Sequence, residues 1–453
     1  LDRKLPFSRH APYRQPLGNI KSNNMKQYQI LKTISLYVLV GFCFFTETKA
    51  QIKTKTEVLV IGTIHGSHSN NPNYSYQDLV NILGTYNPDA VCVEIPPSYF
   101  RKQSYLKEMM IASIYGFDNN KKVYPIDWWE TLSDARSERN EYIKTHDYKI
   151  KSQQADSLVK SNSIMQIFIE KYGTMDSIWK NNKMGYQFFN GKDYNDYIRE
   201  MYAISINVYG DGCMNLYSEI RNAKMMELIN NAISENKGKR IIILTGAEHK
   251  YYFDIALSKQ KGVKLINFNK LLPLKTIIPT QNTAEFIEND LAKGYYDVSD
   301  ASSVDIMYRN ALVPLIHGMG MDDDPNIIPA ENIKKAISVV AEWESQSSKS
   351  AVLQFEKSWI KFLEKDYLGA IKISENIANR LDELPKEKHW FFVTSYWRNL
   401  GFCYDMTNQR ERAINAYKEC KKACETLGLN TNFAEKYIYK NFENEPYARE
   451  KNK

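Results

Sequence analysis

Apolar residues run without interruption at residues 58–61, 90–93 and 241–244, each run bounded by charged, Gly or Pro-containing stretches. Short runs of this kind, rich in β-branched residues and lacking alternation, predict strands buried on both faces. Between the first two, Leu79, Ile82, Leu83 and Tyr86 recur at helical spacing until Pro88-Asp89 ends the pattern. Residues 122–127 and 263–268 predict two more strands. The expected fold class is α/β, a mainly parallel sheet with helices on both faces. Its crossovers should be right-handed, so the strands at 58–61 and 90–93 point the same way. His65 and Glu94 then stand just past the carboxyl ends of strands, where open α/β sheets bind ligands.

The pattern changes after residue 130. Residues 130–210 read as a helical insertion rich in aromatics, among them Phe168, Tyr172, Phe188, Phe189, Tyr194 and Tyr197. Most should pack against the sheet, and some should form a lid over the strand ends. A helix at 214–233 carries Arg221 and Asn222. Periodicity fades over 270–330, which reads as connecting structure with an acidic run at 322–324. That run lacks the Gly and Glu of an EF-hand loop and is expected to be solvated.

From 330 to about 430 the pattern is purely helical, with helices expected at 331–348, 350–380, 388–405 and 409–425. Trp397, Leu400, Gly401 and Tyr404, followed by Ala413 and Tyr417, match tetratricopeptide spacing. Such a layer can dock a protein partner or brace the first domain. The expected domains are a leader and signal at 1–50, an α/β domain at 51–300, and a helical domain at 330–430.

Composition alters this picture at the N-terminus. Met25, Lys26 and Lys32, the apolar stretch 34–45 and Thr48-Lys49-Ala50 read as a secretory signal, so the expected location is periplasmic or secreted. The apolar stretch is too short to span a bilayer, which needs about 20 residues. Residues 1–50 hold eight Lys/Arg against two Asp/Glu, so six of the chain's seven net positive charges lie there. The remainder is nearly neutral, which argues against nucleic-acid binding. Five cysteines follow residue 50, an odd number at no metal-finger spacing.

Chemistry concentrates at the strand ends. A strand running into Gly-x-x-His occurs twice, at Gly62 to His65 and at Gly246 to His249. Glu94 and Asp127 end two other strands. Two imidazoles and two carboxylates match a divalent metal site, with Zn²⁺ or Mn²⁺ as candidates and His65, Glu94, Asp127 and His249 as ligands. Without metal, His65 could act as general base with Glu94 orienting it. His68, among Ser and Asn, reads as solvated rather than as a further ligand.

Gly62-Thr63-Ile64-His65, Glu94, Arg221-Asn222 and Gly246-Ala247-Glu248-His249 together resemble the TraB/GumN-type proteins. That superfamily includes the Tiki proteases, pheromone-shutdown proteins, erythromycin esterase-like hydrolases and ChaN-like haem-binding proteins. The resemblance covers residues 55–270 and departs from the family at Glu248, where Gly is common. It implies two related halves and a catalytic site of His65, Glu94, Arg221 and His249. It also implies a divalent metal in the protease branch and a water-activating His in the esterase branch. The resulting expectation is an exported hydrolase of a peptide or small-molecule ester. A non-catalytic haem- or metal-binding envelope protein, or an interaction protein acting through its helical tail, are the alternatives.

Overall fold

Five parallel strands form one sheet: β1 (Thr56–Thr63), β2 (Ala90–Val93), β3 (Lys122–Pro125), β4 (Arg240–Gly246) and β5 (Val263–Leu265), in the order β3-β2-β4-β1-β5. They belong to a computed structural model that describes residues 55–448 except 129–131, 211, 216–218, 318–327 and 386–390. The signal segment at 25–50 and the acidic run at 322–324 lie outside the described residues.

Strand side chains alternate between two apolar clusters, as the pleat requires. Leu59, Ile61, Val91, Val93, Ile242 and Leu244 join the larger, together with the helices Tyr76–Tyr86 and Lys107–Asp118. Val58, Val60, Cys92, Ile241 and Ile243 join the smaller, against Met225, Ile229 and Ala232 of helix Arg221–Glu235. Helices therefore cover the sheet on both sides. Ser75 and Asp78 form a capping box at the first crossover helix, and Asn87 closes it with φ 47°.

The strand order positions the site. β4 lies between β1 and β2, so three chemically loaded strand ends become neighbours. Val93 is level with Leu244, and Thr63 with Gly246. β3 stops at Pro125, two residues before Asp127, but Ile126 N–H still donates to Val93 C=O and Asp127 N–H to Ile95 C=O. Asp127 is thereby held beside the end of β2.

The larger cluster runs on through the C-terminal helices to Trp343, Trp359 and Tyr417. Residues 270–330, expected to be connecting structure, instead hold helices Gln281–Asn289 and Ala301–Leu312 and a π-helical turn at Val313–His317. Buried Tyr295, Tyr296 and Tyr308 anchor them. The adjacent Tyr pair fits no single period, which is why the pattern is faint. The expected helix 350–380 is broken at Lys365, with φ 65°, and restarts where Asp366 caps Tyr367–Ile377. Helices Phe392–Met406 and Arg410–Thr426 form a hairpin. Gly401 faces Tyr417 across the hairpin, and a Cβ there would collide with the ring. No helix among the described residues is long and apolar enough to cross a membrane.

The insertion supplies helices including His146–Ser161, Ser163–Tyr172 and Lys192–Tyr209. Phe168, Phe189, Tyr194 and Ile198 are buried in the larger cluster. Asn190 reaches the sheet, accepting from Gly62 N–H at 2.8 Å and pinning the end of β1.

Candidate functional site

The two Gly-x-x-His segments interlock. A Cβ on Gly62 would lie 2.8 Å from Ala247 Cα, so only a glycine lets the second segment close on β1. A Cβ on Gly246 would lie 2.7 Å from His65 Nε2 and 3.6 Å from His249 Cδ2. Both imidazoles thus rest against the same bare backbone. The doubled motif has a steric reason: each glycine makes room for the other segment.

Arg221, at the start of its helix, stands at the centre of the cluster. Its Nη2 donates to Glu94 Oε1 at 2.6 Å, its Nε to Asp127 Oδ1 at 2.8 Å, and its Nη1 to His249 Nε2 at 2.9 Å. Glu94 Oε2 also accepts from Thr245 Oγ1 at 2.7 Å and Gly246 N–H at 2.6 Å. Burial favours the neutral acid at Glu94, but His249, Arg221 and His65 outweigh it and hold the carboxyl well below its ordinary range. Asp127 moves the other way: burial and the charge of Glu94 raise it against the pull of Arg221. It accepts from Trp128 N–H and from the Tyr105 hydroxyl, the latter at 2.8 Å.

His249 is buried and neutral. The arginine has donors only, so Nε2 must accept and Nδ1 carries the proton, donated to Asn222 Oδ1 at 2.5 Å. Burial lowers its pKa to about 4, with Arg221 and His65 opposing the charge that Glu94 favours. Both ring nitrogens are taken, by Arg221 and Asn222, so His249 orients the guanidinium.

His65 differs in every respect. Its side chain is 43% exposed, and its backbone is left-handed at φ 50°, a conformation that His tolerates better than most residues. Nδ1 donates to Glu108 Oε1 at 2.8 Å, leaving Nε2 as the basic nitrogen. Burial opposes the charged ring, but the Glu108 hydrogen bond and the charges of Glu94 and Glu108 prevail and raise its pKa above the ordinary value. His65 and Arg221 line a cavity of about 500 Å³ with Glu94, Ser104, Tyr105 and Leu106. No described residue of the insertion lines it.

Glu108 escaped the sequence reading. It is fully buried at the first turn of helix Lys107–Asp118, where every residue from Glu108 to Gly116 is buried. Its Oε2 has no hydrogen-bond partner. The available signal was a carboxylate directly ahead of the mostly apolar run 109–117, with no route to water.

His68 is buried rather than solvated. Its Nε2 accepts from Ile64 N–H at 3.1 Å, and its Nδ1 donates to Tyr74 C=O at 2.7 Å. It staples the loop that presents His65. Burial lowers its pKa to about 4.

A stability prediction follows from the two neutral histidines. Between about pH 6.5 and 4 the unfolded chain binds their protons and the native protein does not, so stability rises with pH there. Each contributes up to about 1.4 kcal/mol per pH unit. His65, with its raised pKa, contributes oppositely, and its share is lost as pH rises through the folded value. Urea unfolding should therefore show a lower midpoint at pH 5 than at pH 7, with a shallower pH slope in His68→Gln. An unchanged slope in that variant would contradict the buried neutral assignment.

The four expected metal ligands do not fit a metal. The guanidinium already occupies the space that Glu94, Asp127 and His249 enclose, and His65 turns Nδ1 to Glu108. Among the described residues, no three His, Cys, Asp or Glu side chains are grouped to hold an ion. No family model, curated protein or solved structure matches the chain.

Proposed function

We propose that the protein is a hydrolase of ester or peptide bonds in which His65 is the general base. One observation carries this reading: a half-exposed imidazole, backed by a buried carboxylate, faces a cavity that also holds Arg221. His65 Nε2 takes a proton from water, and the resulting hydroxide attacks the carbonyl carbon. The Glu108 carboxylate stabilises the imidazolium. Arg221 faces the developing oxyanion and stays charged at any working pH. Burial works against that charge, but Glu94 and Asp127 raise its pKa further. The imidazolium then protonates the leaving oxygen or nitrogen, restoring neutral His65. Glu94, Asp127 and His249 hold the guanidinium in place.

The same residues carry the resemblance to the TraB/GumN-type superfamily, and its esterase branch is the nearer analogy. We read the hairpin of Phe392–Met406 and Arg410–Thr426 as tetratricopeptide-like, and export through the segment 25–50 as the protein's route. The test is a panel of chromogenic esters and peptides with and without chelator. Chelator-insensitive turnover that His65→Asn removes supports the reading. Turnover that chelator abolishes, or that survives His65→Asn, defeats it.

A further inference from the structure

The cavity at His65 does not stop at Tyr105. Ser104 and Tyr105 also wall a second cavity of about 270 Å³, completed by residues that include Phe286, Tyr296, Asn310 and Val313. We propose that the two cavities form one substrate cleft. The second takes a ring-sized apolar group bearing a hydrogen-bonding substituent, and Asn310 and Val313 select it. The proposal rests on the hydrolase reading of the first cavity and names its substrate class.

The chemistry of the walls defines that group. Met110, Phe286 and Val313 offer apolar contact. A void of about 150 Å³ suffices for benzene, so the second cavity holds one ring and a substituent. Asn310 Nδ2 donates to the Tyr296 hydroxyl at 3.0 Å, which fixes both groups before a ligand arrives. Ser104, in the wall shared with the first cavity, lines this cavity beside Tyr296. The cation here is already committed: Lys107 Nζ donates to Asp290 Oδ1 at 2.7 Å and Ile287 C=O at 2.9 Å. A neutral polar substituent therefore suits the cavity better than an anion.

The shared wall is held in place. Arg101 Nε donates to Tyr295 C=O at 3.2 Å, and Asp297 N–H donates to Arg101 C=O at 3.1 Å. Lys107 and Glu108 are consecutive, one lining the second cavity and the other bonding His65. The helix ending at Leu312 widens into its π-helical turn at Val313 and Pro314, and both residues face the cavity. Proline has no N–H to continue an α-helical ladder, so the turn follows from the sequence.

The test uses the full chain and two variants outside the catalytic group, Val313→Trp and Asn310→Leu. Saturation-transfer NMR with 4-ethylphenol should show binding to wild type and to His65→Asn. Val313→Trp should abolish it, and Asn310→Leu should weaken it about tenfold, the loss of roughly one hydrogen bond. In turnover, KM for 4-nitrophenyl 3-(4-hydroxyphenyl)propanoate should rise about tenfold in Asn310→Leu. The same variant should leave kcat/KM for 4-nitrophenyl acetate unchanged. No binding of 4-ethylphenol to wild type, or equal binding by both variants at wild-type melting temperature, overturns the second cavity. Binding as expected with neither ester hydrolysed overturns the hydrolase reading instead.

Discussion

Replacing Arg221 with Met should destabilise the protein by about 3–5 kcal/mol at pH 7, a large share of the stability of an ordinary domain. Glu94 and Asp127 are both buried to within 2% exposure, and Arg221 is the cation that bonds each of them. Without it, two buried carboxylates face each other with no cation between them, and His249 Nε2 loses its donor. The double variant Arg221→Met/Glu94→Gln should recover part of the loss, because it removes one stranded charge. Arg221→Lys should fall between, since an ammonium cannot span three partners in a fixed fork. Urea unfolding of the four proteins measures the series. A loss below about 1 kcal/mol in Arg221→Met, within the range of a surface ion pair, would show that the network does not hold the fold.

His65→Asn should do the reverse: lower kcat/KM by about 10²–10⁴-fold while changing stability by less than about 1 kcal/mol. The asparagine amide can still donate to Glu108, and Asn tolerates the left-handed backbone at this position. What it lacks is a nitrogen that takes a proton. Wild-type rates in His65→Asn, or unfolding on the scale of the Arg221 variant, would remove the residue from catalysis.

Much of the fold was legible because buried parallel strands announce themselves. The runs at 58–61, 90–93 and 241–244 need no tertiary information to be strands, and the glycines that follow two of them mark the site. The order of the strands was not legible, yet it explains why the ends of β1, β2 and β4 meet. Arg221 entered the site only through the family resemblance, on Arg-Asn in the helix ahead of the second Gly-x-x-His, and its place between Glu94, Asp127 and His249 was not legible. That difference matters, because the same residue types with an empty centre would be a metal site. Glu108 was missed because a one-dimensional pattern cannot show that a helix is buried on every side. His68 was misread for a related reason: its neighbours are polar, but its partners are backbone groups several residues away. Residues 270–330 were unreadable since their anchors, Tyr295 and Tyr296, pack through contacts rather than a period.

The most direct test of the central claim is the pH profile of kcat/KM for ester hydrolysis in wild type and Glu108→Gln. The base works unprotonated, and its raised pKa places the acid limb of the wild-type profile above about pH 6.5. The substituted amide keeps the shape and the hydrogen-bond acceptor but removes the charge. The limb should move to lower pH, and the plateau should fall by about 10²-fold as the imidazolium loses its carboxylate. Superimposable profiles, or a limb that moves to higher pH, would contradict a His65–Glu108 pair as the catalytic base.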